Sequence, residues 1–202
     1  KNGRQFGKDY FDELLERIRE IRASERRFYQ KITDIFSQCS YDYDKNSQEA
    51  QLFYSTVQNK LHWAITNHTA AEIIHERANH QKPHMGLTTW KNMPDGKILQ
   101  SDVITAKNYL TESELRELNR VVTMFLDYAE NQAERQIAMS MSDWSGRLDN
   151  FLQFNEYDIL NNAGKISAEV AKSLAKSEYK KFRVIQDKEY ISDFDKIVKK
   201  IK

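Results

Sequence analysis

The chain has 202 residues, of which 40% are hydrophobic and 30% are charged, and its net charge is +1. This balance is typical of a folded globular protein and excludes a disordered chain. The net charge excludes a protein that binds nucleic acid through positive charge spread over the whole chain. The single cysteine, Cys39, excludes an internal disulfide framework and a zinc site with several cysteine ligands. No apolar run reaches the roughly 18 to 20 residues of a membrane span. We therefore expect a cytoplasmic protein with no membrane partner.

The expected fold class is all-α. The chain contains only six glycines and two prolines, and it lacks the alternating runs rich in valine and threonine that predict strands. We expect one multi-helix bundle over residues 1–202, with long first and last helices. The best candidate for an internal boundary is the segment near residues 85–100, where Gly86, Pro94 and Gly96 are turn signals.

The first helix is expected to be long. A stripe of residues recurs at alternating spacings of three and four. Its apolar members are Phe11, Leu14, Ile18, Ile21, Phe28, Ile32 and Ile35, and the charged Glu25 interrupts it once between Ile21 and Phe28. This stripe predicts one helix from Gly7 to Gln38, roughly 48 Å long at 1.5 Å per residue. Such a helix fits either the core of its own domain or an arm that packs on another subunit.

Capping residues and apolar periodicity predict the remaining helices. Ser47, Thr69, Ser167 and either Ser140 or Ser142 are the expected caps, and Ser192 is expected to start a terminal helix. The predicted ranges are 48–66, 70–79, 101–110, 112–136, 143–160 and 168–188, with an irregular segment over 85–97.

All five histidines lie between Tyr54 and Trp90, which raises the question of a metal site. His75 and His80 are one residue too far apart for the HExxH pattern, which needs both imidazoles on one helix face. Glu72 and His75 have the ExxH spacing of carboxylate-bridged di-iron helices, but only one copy occurs where two are needed. We expect no metal site. The scattered glycines form neither GxGxxG nor a P-loop, so we expect no cofactor.

A polar helix face is the first candidate catalytic site. Gln58 and His62 are one helical turn apart beside a predicted buried row, and Asn59 and Lys60 lie between them. A half-buried histidine with an amide one turn away can act as an acid–base group or contact a ligand. It can equally be a structural histidine with its hydrogen bonds satisfied.

Four further polar residues could contribute to such a site. Asn119 and Arg120 interrupt the most apolar part of their helix, and Asp127 follows on the same helix. A polar side chain there requires a partner if it is buried. Asp143 precedes an apolar run, where an acid also stabilises a helix start. The sequence leaves open whether the protein is an enzyme.

Six segments resemble the bacterial RhuM virulence-associated family, in the expected order over nearly the whole chain. They are ELLERIREIRASERRFYQKITDIF (13–36), FYSTVQNKLHWAI (53–65), TAAEII (69–74), KPHMGLTTWK (82–91), AKNYLTESELRELNRVVTMFLDYAE (106–130) and MSMSDWSGRLDNFLQFNE (139–156).

The resemblance implies a regulatory protein of mobile elements and pathogenicity islands. It implies a DNA-binding segment upstream of this chain, which begins at Lys1 rather than at methionine, and a Fic- or Doc-type toxin as a further partner. The Fic motif HPFxxGNGR does not occur in the sequence, so Fic chemistry is not expected here. The leading hypothesis is therefore a helical domain for homo-oligomerisation or partner binding. The alternative is an enzyme that acts on nucleotides or nucleic acid around His62.

Overall fold

Eight α-helices make up most of the described chain, which comprises residues 6–23 and 28–190 of a computed structural model. No strand occurs in these ranges, so the all-α prediction is confirmed, and none of the helices has the length and apolar character needed to cross a membrane. The helix predicted from Ser192 lies outside the described residues. The helices are α1 (Lys8–Ala23), α2 (Phe28–Cys39), α3 (Gln48–Thr66), α4 (Ala70–Arg77), α5 (Gln100–Val103), α6 (Glu112–Glu134), α7 (Met141–Phe154) and α8 (Ala168–Glu189).

The chain is divided into two compact units, and each unit is built from two separate stretches of sequence. Unit 1 comprises residues 1–67 and 113–163, and unit 2 comprises residues 68–112 and 164–202. The boundary suggested near residues 85–100 lies inside unit 2. That the whole chain folds as one domain stays a prediction.

In unit 1 the first apolar stripe is buried by two antiparallel helices. Arg17 Nη1 on α1 donates to Gln38 O on α2 at 2.6 Å, and Lys31 Nζ donates to Arg22 O at 2.7 Å. Arg17 and Gln38 would be roughly 30 Å apart in a straight helix. The prediction of one continuous helix from Gly7 to Gln38 is therefore wrong. The fold-back lets both halves of the stripe enter one core, where Phe11, Leu14, Ile18, Ile21, Ile32 and Ile35 are buried. Glu25 lies outside the described residues.

Aromatic residues from three helices form the centre of this core. Phe36 of α2 and Phe125 of α6 have ring centroids 6.5 Å apart, and Trp144 of α7 lies 6.3 and 6.1 Å from them. All three side chains are fully buried. The helix of Trp144 is shorter than predicted and ends at Phe154 rather than near Leu160. Glu156 adopts a left-handed backbone conformation, and the Tyr157 N–H returns to Leu152 O at 3.0 Å, which closes the helix.

In unit 2, α4 packs against α8 and a buried carboxylate ties their starts together. Glu72 accepts hydrogen bonds from the Thr69 backbone and hydroxyl, which confirms the predicted capping box. Its second oxygen accepts the Lys165 N–H at 2.7 Å, just before α8. Burial alone would raise the pKa of Glu72, but the hydrogen bonds from Lys165 and Thr69 outweigh burial and lower it. The carboxylate is therefore held in its charged form.

The segment between α4 and α6 is mostly irregular and is fixed by buried polar side chains. The helix predicted over 101–110 is instead α5, which ends at Val103, and a short 3-10 turn over Ala106–Tyr109. Asn108 Nδ2 donates to Asp102 O at 2.9 Å, and the Tyr109 hydroxyl donates to Val103 O at 2.8 Å. These side chains occupy carbonyl groups that a continuing helix would need, which explains why the helix stops.

We expect Glu72→Ala to destabilise the protein by about 1 to 3 kcal/mol, because the buried N–H group of Thr69 and the part-buried N–H group of Lys165 lose their charged acceptor. Chemical denaturation monitored by circular dichroism measures this. The exposed Glu76 of the same helix provides the control, since Glu76→Ala should change the free energy of unfolding by less than about 0.5 kcal/mol. Equal effects of the two substitutions would contradict the structural role of Glu72.

Candidate functional site

The predicted polar residues of α3 lie in different environments. His62 is only 1% exposed, so its imidazole belongs to the core of unit 1. Lys60 Nζ lies 2.7 Å from Asp149 Oδ1 of α7, and the lysine side chain is 12% exposed. Gln58 and Asn59 are half-buried. The structure therefore commits Lys60 to an ion pair and removes His62 from the surface.

The predicted residues of α6 lie on its outer side. Asn119 and Arg120 are exposed, and Arg120 Nη1 lies 3.1 Å from Glu117 Oε2. Asp127 is also exposed and lies 2.5 Å from Arg22 Nη1 of α1. Because Asn119 is exposed, it does not need the buried partner that its apolar neighbours in sequence suggested.

Asp143 stabilises the start of α7. Its carboxylate accepts the Ser140 N–H at 2.9 Å, and the Asp143 N–H donates to the Ser140 hydroxyl at 3.0 Å. The hydrogen bonds from Ser140 lower the pKa of Asp143. These contacts support the interpretation of Asp143 as a helix-start residue. A catalytic role for any of the eight sequence candidates stays a prediction.

One of these candidates lines open space. Asn59 contributes to a cleft of about 450 Å³ in unit 1, here called the polar cleft, whose other polar side chains are Ser55, Thr56, Asn161 and Asn162. Asn161 and Asn162, which follow α7 in the chain, thus line the same cleft as the polar face of α3. Every polar group that lines the cleft is a hydroxyl or an amide, and these groups can recognise a partner through hydrogen bonds at any ordinary pH.

Unit 2 contains a second cleft, of about 180 Å³ and largely aromatic. The side chains that define this aromatic cleft are His84, Trp90, Lys97, Phe182, Gln186 and Tyr190. The indole of Trp90 is fixed by a 2.8 Å hydrogen bond from Nε1 to Gly96 O, and Lys97 Nζ lies 4.6 Å from the centre of the Tyr190 ring. The cleft combines flat aromatic rings with the ammonium group of Lys97 and the carboxylate of Asp95.

A strained turn presents His84 to this cleft. His84 and Met85 both have left-handed backbone conformations, with φ of 52° and 61°, which costs about 1 to 3 kcal/mol per residue. The Met85 side chain is fully buried, and burial of a methionine stabilises by about 1.5 to 3 kcal/mol, which offsets much of that cost. The result is an exposed imidazole held 4.8 Å from the Trp90 ring.

The same turn is anchored to α8 by a histidine–carboxylate pair. Glu178 accepts hydrogen bonds from the His80 N–H at 2.9 Å, from His80 Nδ1 at 2.5 Å and from Lys181 Nζ at 2.7 Å. The hydrogen bonds from the His80 backbone, from Lys181 and from the His80 ring together lower the pKa of Glu178 to about 2. Phe182 of the aromatic cleft lies one helical turn after Glu178, so the pair positions one wall of the cleft.

The histidines are dispersed. His62 is buried in unit 1, His68 pairs with Glu76 at 3.0 Å, and His75 is exposed. Glu72, the other member of the ExxH spacing, is occupied by Thr69 and Lys165. Among the described residues no group of three or more His, Cys, Asp or Glu side chains could hold a metal ion.

Sequence reasoning missed most of the aromatic cleft. Lys97, Phe182, Gln186 and Tyr190 carry no motif, and more than 80 residues separate Lys97 from the other three. A usable signal existed only at Trp90, in the segment KPHMGLTTW, where a tryptophan follows a Pro- and Gly-containing turn. The basic residues Lys180, Lys181 and Arg183, which neighbour Phe182 of the cleft in sequence, are all exposed.

We expect the stabilising effect of Glu178 to depend on pH. Its lowered pKa means that the carboxylate stabilises the fold above its ordinary pKa near 4.5, and that this contribution is lost as the pH falls toward 2. The difference in unfolding free energy between the wild type and Glu178→Gln should be about 1 to 2 kcal/mol at pH 7. It should shrink steadily below pH 4.5, as measured by urea denaturation at each pH.

The exposed Glu20 of α1 gives the matched control for this experiment. Glu20→Gln should leave the pH profile of stability unchanged. If the difference in unfolding free energy between the wild type and Glu178→Gln stays constant from pH 7 to pH 2, the contacts of Glu178 with His80 and Lys181 do not stabilise the fold through charge.

Comparison with known proteins gives one result. No curated protein and no solved structure matches the chain. The model of the virulence protein RhuM family matches residues 1–191, which is nearly the whole chain. This match confirms the resemblance seen in the sequence, and the chain therefore belongs to the RhuM family.

Proposed function

We propose that this chain is the homo-oligomerisation domain of a RhuM-family regulatory protein, and that the outer face of α3 with the polar cleft is the surface of self-association. The observation that carries the proposal is the lack of charge on this face. Residues at helical spacing along it are neutral over about three turns, namely Leu52, Ser55, Thr56, Asn59 and Trp63, in a chain that is 30% charged.

A neutral hydrogen-bonding surface is suited to binding a copy of itself. In a twofold interface the same patch meets its own copy, so a charged patch would repel itself. Hydroxyl and amide groups carry both donors and acceptors and can pair with identical groups. Ser55, Thr56, Asn161 and Asn162 are all exposed at the polar cleft, which supports this arrangement.

Large apolar side chains on the same unit support an interface further. Leu52 is 59% exposed one turn before Ser55 on α3, and Phe154 at the end of α7 is 87% exposed. Burying each of these side chains on association would contribute about 1 to 3 kcal/mol. An interface over Leu52 and the neighbouring hydroxyl and amide groups would combine apolar burial with polar contacts, as is usual for stable protein contacts.

The regulatory part of the proposal rests on the RhuM family and on the DNA-binding segment that the resemblance implies upstream. A dimer that carries two such segments would engage two half-sites at once, which raises affinity without new contacts. The alternative, an enzyme that acts on nucleotides around His62, draws less support. His62 is 1% exposed and Lys60 is paired with Asp149, so neither offers a free acid–base group at the surface of α3.

We expect the wild-type chain to sediment as a dimer or larger species at micromolar concentration, and Ser55→Glu to sediment as a monomer, because each copy then brings a negative charge to the shared interface. Sedimentation equilibrium measures the change, and a weakening of at least tenfold in the dissociation constant is expected. Circular dichroism verifies that the exposed substitution leaves the fold intact.

Two controls make this test specific. Ser173→Glu, on an exposed serine of α8 in unit 2, should leave the association unchanged. A mixture of Ser55→Glu and Ser55→Lys chains should associate again, because opposite charges then meet. A wild-type chain that stays monomeric at high concentration, or an association that both glutamate variants weaken equally, would refute the proposal.

A further inference from the structure

The aromatic cleft of unit 2 has the size and the surfaces that suit one flat ring system. Its volume is about 180 Å³, and an apolar cavity of roughly 150 Å³ accommodates a benzene ring. Trp90, Phe182 and Tyr190 line it with three aromatic side chains, and the His84 imidazole lies 4.8 Å from Trp90. Rings of this kind bind flat ligands by stacking.

The walls of the cleft are fixed before any ligand arrives. The Gln186 side chain is bonded at both ends to Ile98, since it accepts the Ile98 N–H at 2.8 Å and donates to Ile98 O at 3.2 Å. The Tyr179 hydroxyl donates to the same carbonyl at 3.1 Å. These bonds hold the loop that carries Lys97 against α8. A preformed cleft avoids the entropic cost of ordering its walls on binding.

The charges at the cleft disfavour a cationic ligand over the Tyr190 ring. The Lys97 ammonium already lies over that ring at 4.6 Å, where a ligand cation would otherwise bind. Lys97 is held there by Asp187, with Nζ and Oδ1 2.7 Å apart, and Arg183 Nε lies 3.4 Å from the other oxygen of Asp187. Because Asp95 also lines the cleft, the two cations and the two carboxylates balance there, and the positive charge that favours a ligand with negative groups comes from the neighbouring basic residues of α8.

A row of exposed basic residues leads along α8 toward the cleft. Lys172, Lys176, Lys180 and Arg183 are all exposed, and spacings of four, four and three place them on one helix face. The row extends over about 16 Å at 1.5 Å per residue. Within it this face carries no acidic residue, and Arg183 is adjacent in sequence to Phe182 of the cleft.

We propose that unit 2 binds a single-stranded nucleic acid, with one base stacked in the aromatic cleft and the phosphates of neighbouring nucleotides along the basic row of α8. Stacking on aromatic rings combined with a positively charged track is the common mode of single-strand recognition. This site lies in unit 2 and does not depend on self-association through α3. It shares no residue with the polar face around His62.

The test is fluorescence anisotropy with the full chain and a labelled single strand of about 12 nucleotides, a length within the usual 4 to 16 nucleotides of such sites. Trp90→Ala should weaken binding between about fivefold and a hundredfold, because one stacked base is lost. Tyr41→Ala, at an exposed aromatic residue of unit 1, should leave the affinity unchanged.

Salt dependence tests the basic row without disturbing the fold. Four phosphate contacts predict a slope of log affinity against log salt concentration of about −2.8, and Lys176→Gln with Lys180→Gln should reduce its magnitude by about 1.4. Lys45→Gln, at an exposed lysine of unit 1, is the matched control. Asp187→Asn should strengthen binding severalfold, because it releases Lys97 and Arg183 for phosphate.

Competition experiments distinguish a single strand from a free mononucleotide, which carries the same base and phosphate groups. A free mononucleotide should compete at least tenfold more weakly than the strand, since it reaches the cleft but not the row. A mononucleotide that binds as tightly as the strand would overturn the single-strand assignment. No binding of the strand at low salt, or binding that Trp90→Ala and Tyr41→Ala affect equally while circular dichroism shows both variants folded, would overturn the site itself.

Discussion

The buried side chains of Asp102 and Asn108 give the irregular part of unit 2 its fixed shape. Backbone groups outside helices and strands must still find partners when they are buried. The two carboxylate oxygens of Asp102 accept the N–H groups of Lys91 at 3.2 Å and of Leu99 at 2.8 Å. The backbone carbonyl of Asn108 accepts the Thr88 N–H at 2.7 Å. Asn108 Nδ2 in turn donates to Asp102 O. One small buried network thus takes the place of a continuous helical or sheet ladder between Gly86 and Leu110, where only α5 and the short 3-10 turn over Ala106–Tyr109 are regular.

This network explains why a segment with little regular structure can carry a cleft. The loop that it fixes holds Trp90 and Lys97, and α8 brings Phe182 and Tyr190 to the same place. Two carboxylates then hold α8 itself: Glu72 ties its start to α4, and Glu178 ties its middle to the His80 turn. Unit 1 relies on a different principle, the burial of apolar and aromatic side chains from α1, α2, α6 and α7.

Structural features that depend on neighbouring residues could be predicted from the sequence, whereas features that depend on contacts between distant residues could not. Caps at Ser47, Thr69 and Ser167 were correct, and Ser140 is the cap of the two alternatives Ser140 and Ser142, because a cap and its helix lie within a few residues. The apolar stripe from Phe11 to Ile35 correctly predicted burial, but periodicity cannot distinguish one long helix from two that fold back. At the polar helix face of α3 the sequence drew attention to Asn59, which lines the polar cleft, but helical spacing did not show that His62 is buried in the core. The aromatic cleft could not be predicted from the sequence, because its two walls come from stretches more than 80 residues apart.

Hydrogen exchange at the backbone amides of unit 2 tests most directly whether buried polar side chains hold this segment. We expect the amides of Thr88, Lys91 and Leu99, which donate to the backbone carbonyl of Asn108 and to the Asp102 carboxylate, to exchange slowly although they lie outside regular helices. We also expect Asp102→Ala to make the Lys91 and Leu99 amides exchange at least tenfold faster while amides in the core of unit 1 stay protected. Rapid exchange at these positions in the wild-type protein, at rates typical of exposed loops, would show that the network does not hold this segment.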